Sequence, residues 1–151
     1  MKGGMQHMAS TAIEPRAMAG HIPVYCAHDA LIPAEQLIPN PRNPNTHPPE
    51  QIQLLAKIIA AQGWRAPITV STRSGFIVRG HGRLETDRIN KAGLLPVEYQ
   101  DYASEAEEWA DLIADNRLAE LSEIDENALG ELLKEIGESD LAIELTGFSA
   151  D

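Results

Sequence analysis

The chain has 151 residues, a formal net charge of −11 and a hydrophobic fraction of 43%. That length suits one domain with a real core and is short for two. No apolar run approaches the ~18 residues of a membrane helix, and a single cysteine, Cys26, excludes an internal disulfide or a multi-cysteine metal site.

A soluble, cytoplasmic protein with no membrane contact is expected. Residues 1–20 hold no continuous apolar segment behind a basic start, so they do not read as a secretory signal, and residues 1–28 are expected to form a flexible extension. Charge divides sharply along the chain. Residues 101–151 carry 16 acidic and 2 basic side chains, whereas residues 1–100 carry 7 and 10, so an acidic tail follows a mildly basic head.

The run Ala30-Leu31-Ile32 reads as a first strand ended by Pro33, with a turn over Ala34–Leu37. Pro39, Pro41, Pro44, Pro48 and Pro49 then crowd a loop whose asparagines supply side-chain caps. Ile52, Leu55, Ile58 and Ile59 recur at helical spacing, which predicts a helix over residues 49–62 stopped by Gly63. Residues 67–70 and 76–78 read as a hairpin. After it stands Gly80-His81-Gly82-Arg83, followed by a helix through Leu84, Arg88 and Ile89 that Gly93 stops. Residues 96–100 read as another strand. Ser104-Glu105-Ala106-Glu107 is a capping box opening a helix to about Leu121, and Asp125 caps a last helix ending at Gly137.

A turn of two glycines and an arginine between strand and helix can cradle an anion. Glycine lets backbone N–H groups approach closely, and Arg83 can grip phosphate oxygens. Taken alone such a turn is weak evidence, because chains also use it to bend sharply. His81 reads either as a base, phosphate donor or metal ligand, or as a structural cap of the turn. Arg42, Asn43, Asn45, Thr46 and His47 of the proline-rich loop are candidates to overhang the same pocket. Glu85 and Asp87 read as solvated helix charges, Trp64 and Trp109 as core or interface residues, and Cys26 takes no role.

Several spaced motifs occur together: Asn40-Pro41-Arg42-Asn43-Pro44, Gly63-Trp64-Arg65-Ala66-Pro67-Ile68, Gly80-His81-Gly82-Arg83 and Ala114-Asp115-Asn116-Arg117-Leu118-Ala119. In this order they resemble the ParB-like N-terminal domain, also called ParB-like nuclease, in the version at the front of phage and prophage DNA methyltransferases. The resemblance covers roughly residues 29–148. It implies the ParB/sulfiredoxin-like α/β (α+β) fold, a small mixed sheet with flanking helices over residues 29–102, completed by an acidic helical extension over 103–151. It also implies a nucleotide triphosphate as ligand, ATP or CTP with Mg²⁺. Gly63 and Pro67 would border the nucleotide, Gly80, His81, Gly82 and Arg83 would hold phosphates, and Asp115 with Asn116 would face the metal. His81 and Asp115 are the candidates for a catalytic role, as in a slow NTPase.

The chain departs from that pattern in places. His81-Gly82-Arg83 stands where ParB proteins usually have Glu-Arg-Arg, and His81 stands where sulfiredoxins carry a catalytic Cys, which excludes sulfinic acid reduction. No Asp-Pro-Pro-Tyr-type motif is present, so the chain does not methylate DNA by itself. A methyltransferase catalytic domain, DNA and a second copy of the chain are the partners the resemblance implies besides the nucleotide. Two alternatives stay open. One is a non-catalytic module docking DNA or a partner through Arg42, Arg65, Arg79, Arg83 and Arg88; the other is a metal-dependent nuclease, for which no carboxylate cluster around the turn is visible.

Overall fold

The computed structural model describes residues 12–149. Four strands, Ala30–Pro33 (β3), Ile68–Ser71 (β4), Ile77–Arg79 (β5) and Leu94–Gln100 (β6), form a mixed sheet in the order β3-β6-β4-β5. β3 and β5 run antiparallel to their neighbours, while β4 and β6 pair in parallel with Ile68 opposite Val97. A parallel pair needs a long crossover. Here it consists of β5 and two short helices, His81–Glu85 (α2) and Asp87–Asn90 (α3).

Two further strands precede the sheet. Ala17–Ala19 (β1) and Ile22–Val24 (β2) make an antiparallel hairpin turned at Gly20, with Ala19, Ile22 and Val24 wholly inside the core. This corrects the flexible extension expected over residues 1–28: residues 12–28 belong to the described fold, and residues 1–11 lie outside the described residues. Three-residue strands give too short a run for periodicity to register, and their partner is remote. Trp64 N donates to Pro23 O at 2.8 Å and Tyr25 N to Trp64 O at 2.9 Å.

The first helix, Pro49–Gln62 (α1), occupies the span expected for it. Pro48 and Pro49 fix the backbone at its start without wasting an N–H, and Ile52, Ala56 and Ile59 recur on one face, which is buried. Ile59 joins Ile22, Val24, Trp64, Ile68, Ile77, Leu95 and Val97 in the core. β4 lies between two strands and is buried at all four residues.

The segment after β5 is not the continuous helix expected up to Gly93. It breaks at Thr86, whose buried hydroxyl donates to Arg83 O at 2.6 Å, and it ends at Lys91 in the left-handed region. Asp87 then accepts from Ala92 N and Gly93 N, so it is a cap and not a solvated charge. Asn90 donates to Ala56 O and ties the segment to α1.

The last helices are Glu105–Leu121 (α4) and Glu126–Gly137 (α5), capped by Ser104 and Asp125 as the sequence suggests. α4 packs on β5 through Leu112 and through Glu108, which is fully buried. Ser71 donates to Glu108 Oε1 in a short bond, Ser74 Oγ donates to Oε2 at 2.8 Å, and Arg73 Nε lies 3.4 Å away. This carboxylate is therefore fully paired where it leaves water. α4 is anchored again where Tyr102 and Arg79 both donate to Asp111. These bonds hold the Asp111 carboxyl below its usual range although burial alone would lift it. No helix among the described residues is long and apolar enough to cross a membrane.

Candidate functional site

β5 ends in Gly80, whose φ of +93° lies in the left-handed region that favours glycine. The backbone reverses there and enters α2. Five residues are too few for a sizeable helix dipole, so anion affinity at this turn rests on individual donors. The N–H groups of His81, Gly82 and Arg83, first in the helix, find no acceptor among the described residues.

The side chain of Arg83 folds back beside Gly80 and donates from Nη1 to Pro67 O at 3.1 Å. It forms no ion pair among the described residues, whereas Arg79 beside it lies 2.5 Å from Asp111 and 3.9 Å from Asp115. Burial lowers the pKa of Arg83 and the field of Asp115 partly offsets this. The guanidinium stays charged, since its ordinary value is far above neutrality. A half-buried cation without a carboxylate partner, next to unused N–H donors, is a place where an anion is stabilised.

His81 faces the other way. Its Nε2 accepts the backbone N–H of Asn40 at 3.2 Å, and the ring is pushed down to a pKa of about 4 by burial and, less, by His47. It is neutral at pH 7, with the proton on Nδ1. The nitrogen that a general base or metal ligand would use is thus occupied, and the structural cap is the role the geometry shows. Asn40 is itself buried, and its Oδ1 accepts from Arg42 N. The proline-rich loop is held over the turn by this residue.

His47 reaches the turn from that loop. It is bonded through Nδ1 to Gln51 Oε1 at 3.1 Å, and its ring lies so close to Gly82 that a Cβ there would stand 3.3 Å from His47 Cε1. Gly82 is small because an imidazole covers it.

Across the gap, α4 contributes Asp115 and Asn116. The Asn116 amide donates back to Leu112 O at 3.2 Å, which leaves its oxygen free, and Arg117 turns away to pair with Glu120. Together these groups line a cleft of about 200 Å³ to which the proline-rich loop gives Asn43, Asn45 and His47, α1 Leu55, β5 and the turn residues 78–83, and α4 Asp115 and Asn116. A second cleft of about 760 Å³ adjoins it and shares Asn43, Asn45, His47 and His81. Ala34, Glu35, Pro39, Asn40, Thr46, Leu84, Glu85, Asp87 and Arg88 line its remainder.

The structure therefore gathers Asn43, His47, Gly80, His81, Gly82, Arg83, Asp115 and Asn116 around the smaller cleft. It does not bring Gly63 there: that residue packs against Pro23 and Tyr25. Pro67 acts only through the carbonyl that holds Arg83. Arg42 lines neither cleft, because its guanidinium stacks over Trp109 at 4.3 Å. Asn45 lines both clefts, as the reading of the proline-rich loop expects, whereas Asn40 and Leu55 escape the sequence reading. For Asn40 the one available signal is its place among the loop prolines.

No family model matches the chain. It is 34% identical over 65 residues to the ParB-like nuclease domain-containing protein YnaK of Escherichia coli strain K12, a match spanning 43% of this chain and 74% of the relative. The chain belongs to the ParB-like family. Its fold agrees with that of the C-terminally truncated chromosome-partitioning protein ParB from Caulobacter crescentus, solved in complex with CTP-γ-S, at a TM-score of 0.59 and 23% identity. That likeness covers 77% of this chain and 69% of the other. The ParB-like mixed α/β fold expected from the spaced motifs is the fold observed.

Proposed function

We propose that this ParB-like domain binds a nucleoside triphosphate, with the phosphates on the Gly80–Arg83 turn and the remainder of the nucleotide directed into the adjoining larger cleft. The observation that carries this reading is the half-buried Arg83 guanidinium, without an ion-pair partner among the described residues and set beside the N–H groups of residues 81–83, which find no acceptor among them. The CTP-γ-S bound by the structurally similar ParB supports the choice of ligand class.

Asp115 and the free oxygen of Asn116 are hard donors lining the same cleft and fit Mg²⁺, which commonly takes one or two protein groups with phosphate and water. A bound Mg²⁺ would neutralise charge on the phosphates. This chain's residues would orient them, and any turnover would be slow because His81 is held as a cap. Among the described residues no group of three or more His, Cys, Asp or Glu is placed to hold a metal, so the nuclease reading draws no support from side-chain geometry. The docking alternative relies on five arginines, of which Arg42 and Arg65 stack on Trp109 and Tyr25 and Arg79 is ion-paired. Service to a DNA-modification or phage DNA-processing protein, through a methyltransferase domain, DNA or a second copy of the chain, belongs to the same proposal and rests on the motif resemblance.

Calorimetric titration with ATP, CTP, GTP and pyrophosphate in Mg²⁺ tests it. Binding that falls about tenfold or more in Arg83→Ala, roughly the loss of one charge-assisted contact, is expected. An absence of heat with every ligand, together with an unchanged melting temperature, would remove the reading, since a ligand of the folded state must stabilise it.

A further inference from the structure

The acidic C-terminal helices carry a surface that the nucleotide site does not use. Leu118 and Leu121 on α4, Ile124 in the connection and Leu132 on α5 are 67%, 58%, 62% and 57% exposed. α5 buries none of its residues. Its chief contact is the 3-10 turn Ile143–Thr146, which in turn rests on α1. Leu129, Leu132, Leu133 and Ile136 fall at the i, i+3, i+4, i+7 spacing of an apolar helix face, on which Leu132 is exposed while Leu129, Leu133 and Ile136 are half-buried. By helical position Glu126 and Glu135 edge that stripe, and the whole segment from residue 101 onward carries 16 acidic against 2 basic side chains.

We infer that the exposed apolar side chains Leu118, Leu121, Ile124 and Leu132 of this acidic segment dock a basic amphipathic segment of another protein, which sets apolar anchors on them and Lys or Arg against the flanking carboxylates. An exposed apolar patch rimmed by polar groups marks an interaction site. The sign of the rim selects the occupant. A symmetric contact with a second copy would lay the same acidic surface against itself, opposing like charges within a Debye length of ~8–10 Å. Nucleic acid is repelled by the same charge. A membrane surface calls for Lys and Arg on the polar face, the reverse of what stands here. A mimic of nucleic acid would have no use for four exposed leucine and isoleucine side chains. A cationic helix or extended segment with apolar anchors satisfies both the stripe and the rim.

The test uses the full chain and three labelled peptides followed by fluorescence anisotropy. One is a Lys/Leu amphipathic helix, one has the same composition with leucines dispersed around the helix, and one replaces Lys by Glu. The first is expected to bind about tenfold or more tighter than the second, to weaken as salt rises, and to lose its advantage in the Leu118→Ser/Leu132→Ser double variant, while the third does not bind. Both substituted side chains are exposed, and an unchanged melting temperature checks the fold. Equal binding of the first two peptides, or none, would overturn the inference. So would a dimer in light scattering that the double variant converts to monomer, since a second copy would then own the stripe.

Discussion

The Nε2 atom of His81 accepts the backbone N–H of Asn40 at 3.2 Å, joining the Gly80–Arg83 turn to a loop 41 residues away in sequence. The bond requires a neutral ring. Burial keeps it so by bringing the pKa from 6.5 to about 4. The unfolded ring takes a proton near pH 6.5 and the folded ring near pH 4, so between these values the unfolded chain binds more protons. This contribution to stability is therefore complete above pH 6.5 and is lost as pH falls toward 4. For a ring partly open to solvent the loss is of order 1 kcal/mol. Melting temperatures recorded from pH 7 to 4 should fall more steeply for the wild type than for His81→Gln, whose amide oxygen can accept the same N–H without titrating. Parallel curves would show that His81 is not held neutral.

Gly82 lies under the His47 ring, and an added methyl at 3.3 Å from Cε1 asks that ring to move by a few tenths of an ångström. Gly82→Ala keeps an ordinary helical backbone, so its effect on stability should stay within about 1 kcal/mol. Ligand affinity should fall by more than that implies, because the displaced loop carries Asn43 and Asn45 into the cleft. Titration calorimetry beside a urea melt separates the two quantities, and His47→Ala in the same background should restore part of the affinity.

Much of this arrangement is readable in the sequence because local signals agree. Pro48, Pro49 and Gly63 punctuate α1, Ser104 and Glu107 cap α4, and Asp125 caps α5. The cleft residues stand out for a different reason: they fall in spaced motifs that resemble the ParB-like domain. What the sequence does not display are pairings between distant, short or polar pieces. β1 and β2 have no period of their own and fold because Trp64 takes up their backbone groups. Thr86 reads as one more residue of the helix after the turn, and only its buried hydroxyl reveals where that helix breaks. Glu108 reads as one more acid of a capping turn, and its burial depends on Ser71 and Ser74, more than 30 residues earlier.

That carboxylate gives the third prediction. Glu108 is 0% exposed and satisfies Ser71, Ser74 and Arg73 at once, which pins α4 to the β4–β5 turn. Glu108→Ala leaves Ser71 buried without its acceptor and opens a cavity, a loss of about 3 kcal/mol by the usual cost of breaking a buried charged network. Because α4 carries Asp115 and Asn116, nucleotide affinity should decline with it. Urea denaturation measures the first effect. A loss below about 0.5 kcal/mol, the range of ordinary surface substitutions, would show that the network is dispensable.

Gly63 separates the fold from the site. The family resemblance implies a border of the nucleotide, yet in the structure this residue has φ +78° and sits where a Cβ would stand 2.7 Å from the Tyr25 ring and 2.8 Å from Pro23 O. The Pro23 carbonyl cannot yield cheaply, because it accepts the Trp64 N–H that secures the β1–β2 hairpin. Gly63→Ala combines a left-handed backbone with a steric clash, and a destabilisation of about 3 kcal/mol is expected. The affinity of whatever fraction remains folded should be unchanged, since Gly63 does not line the cleft that holds Arg83. A thermal melt and a titration on the same sample decide the matter: a lowered melting temperature with intact affinity assigns Gly63 to the fold, whereas lost affinity at an unchanged melting temperature would return it to the ligand.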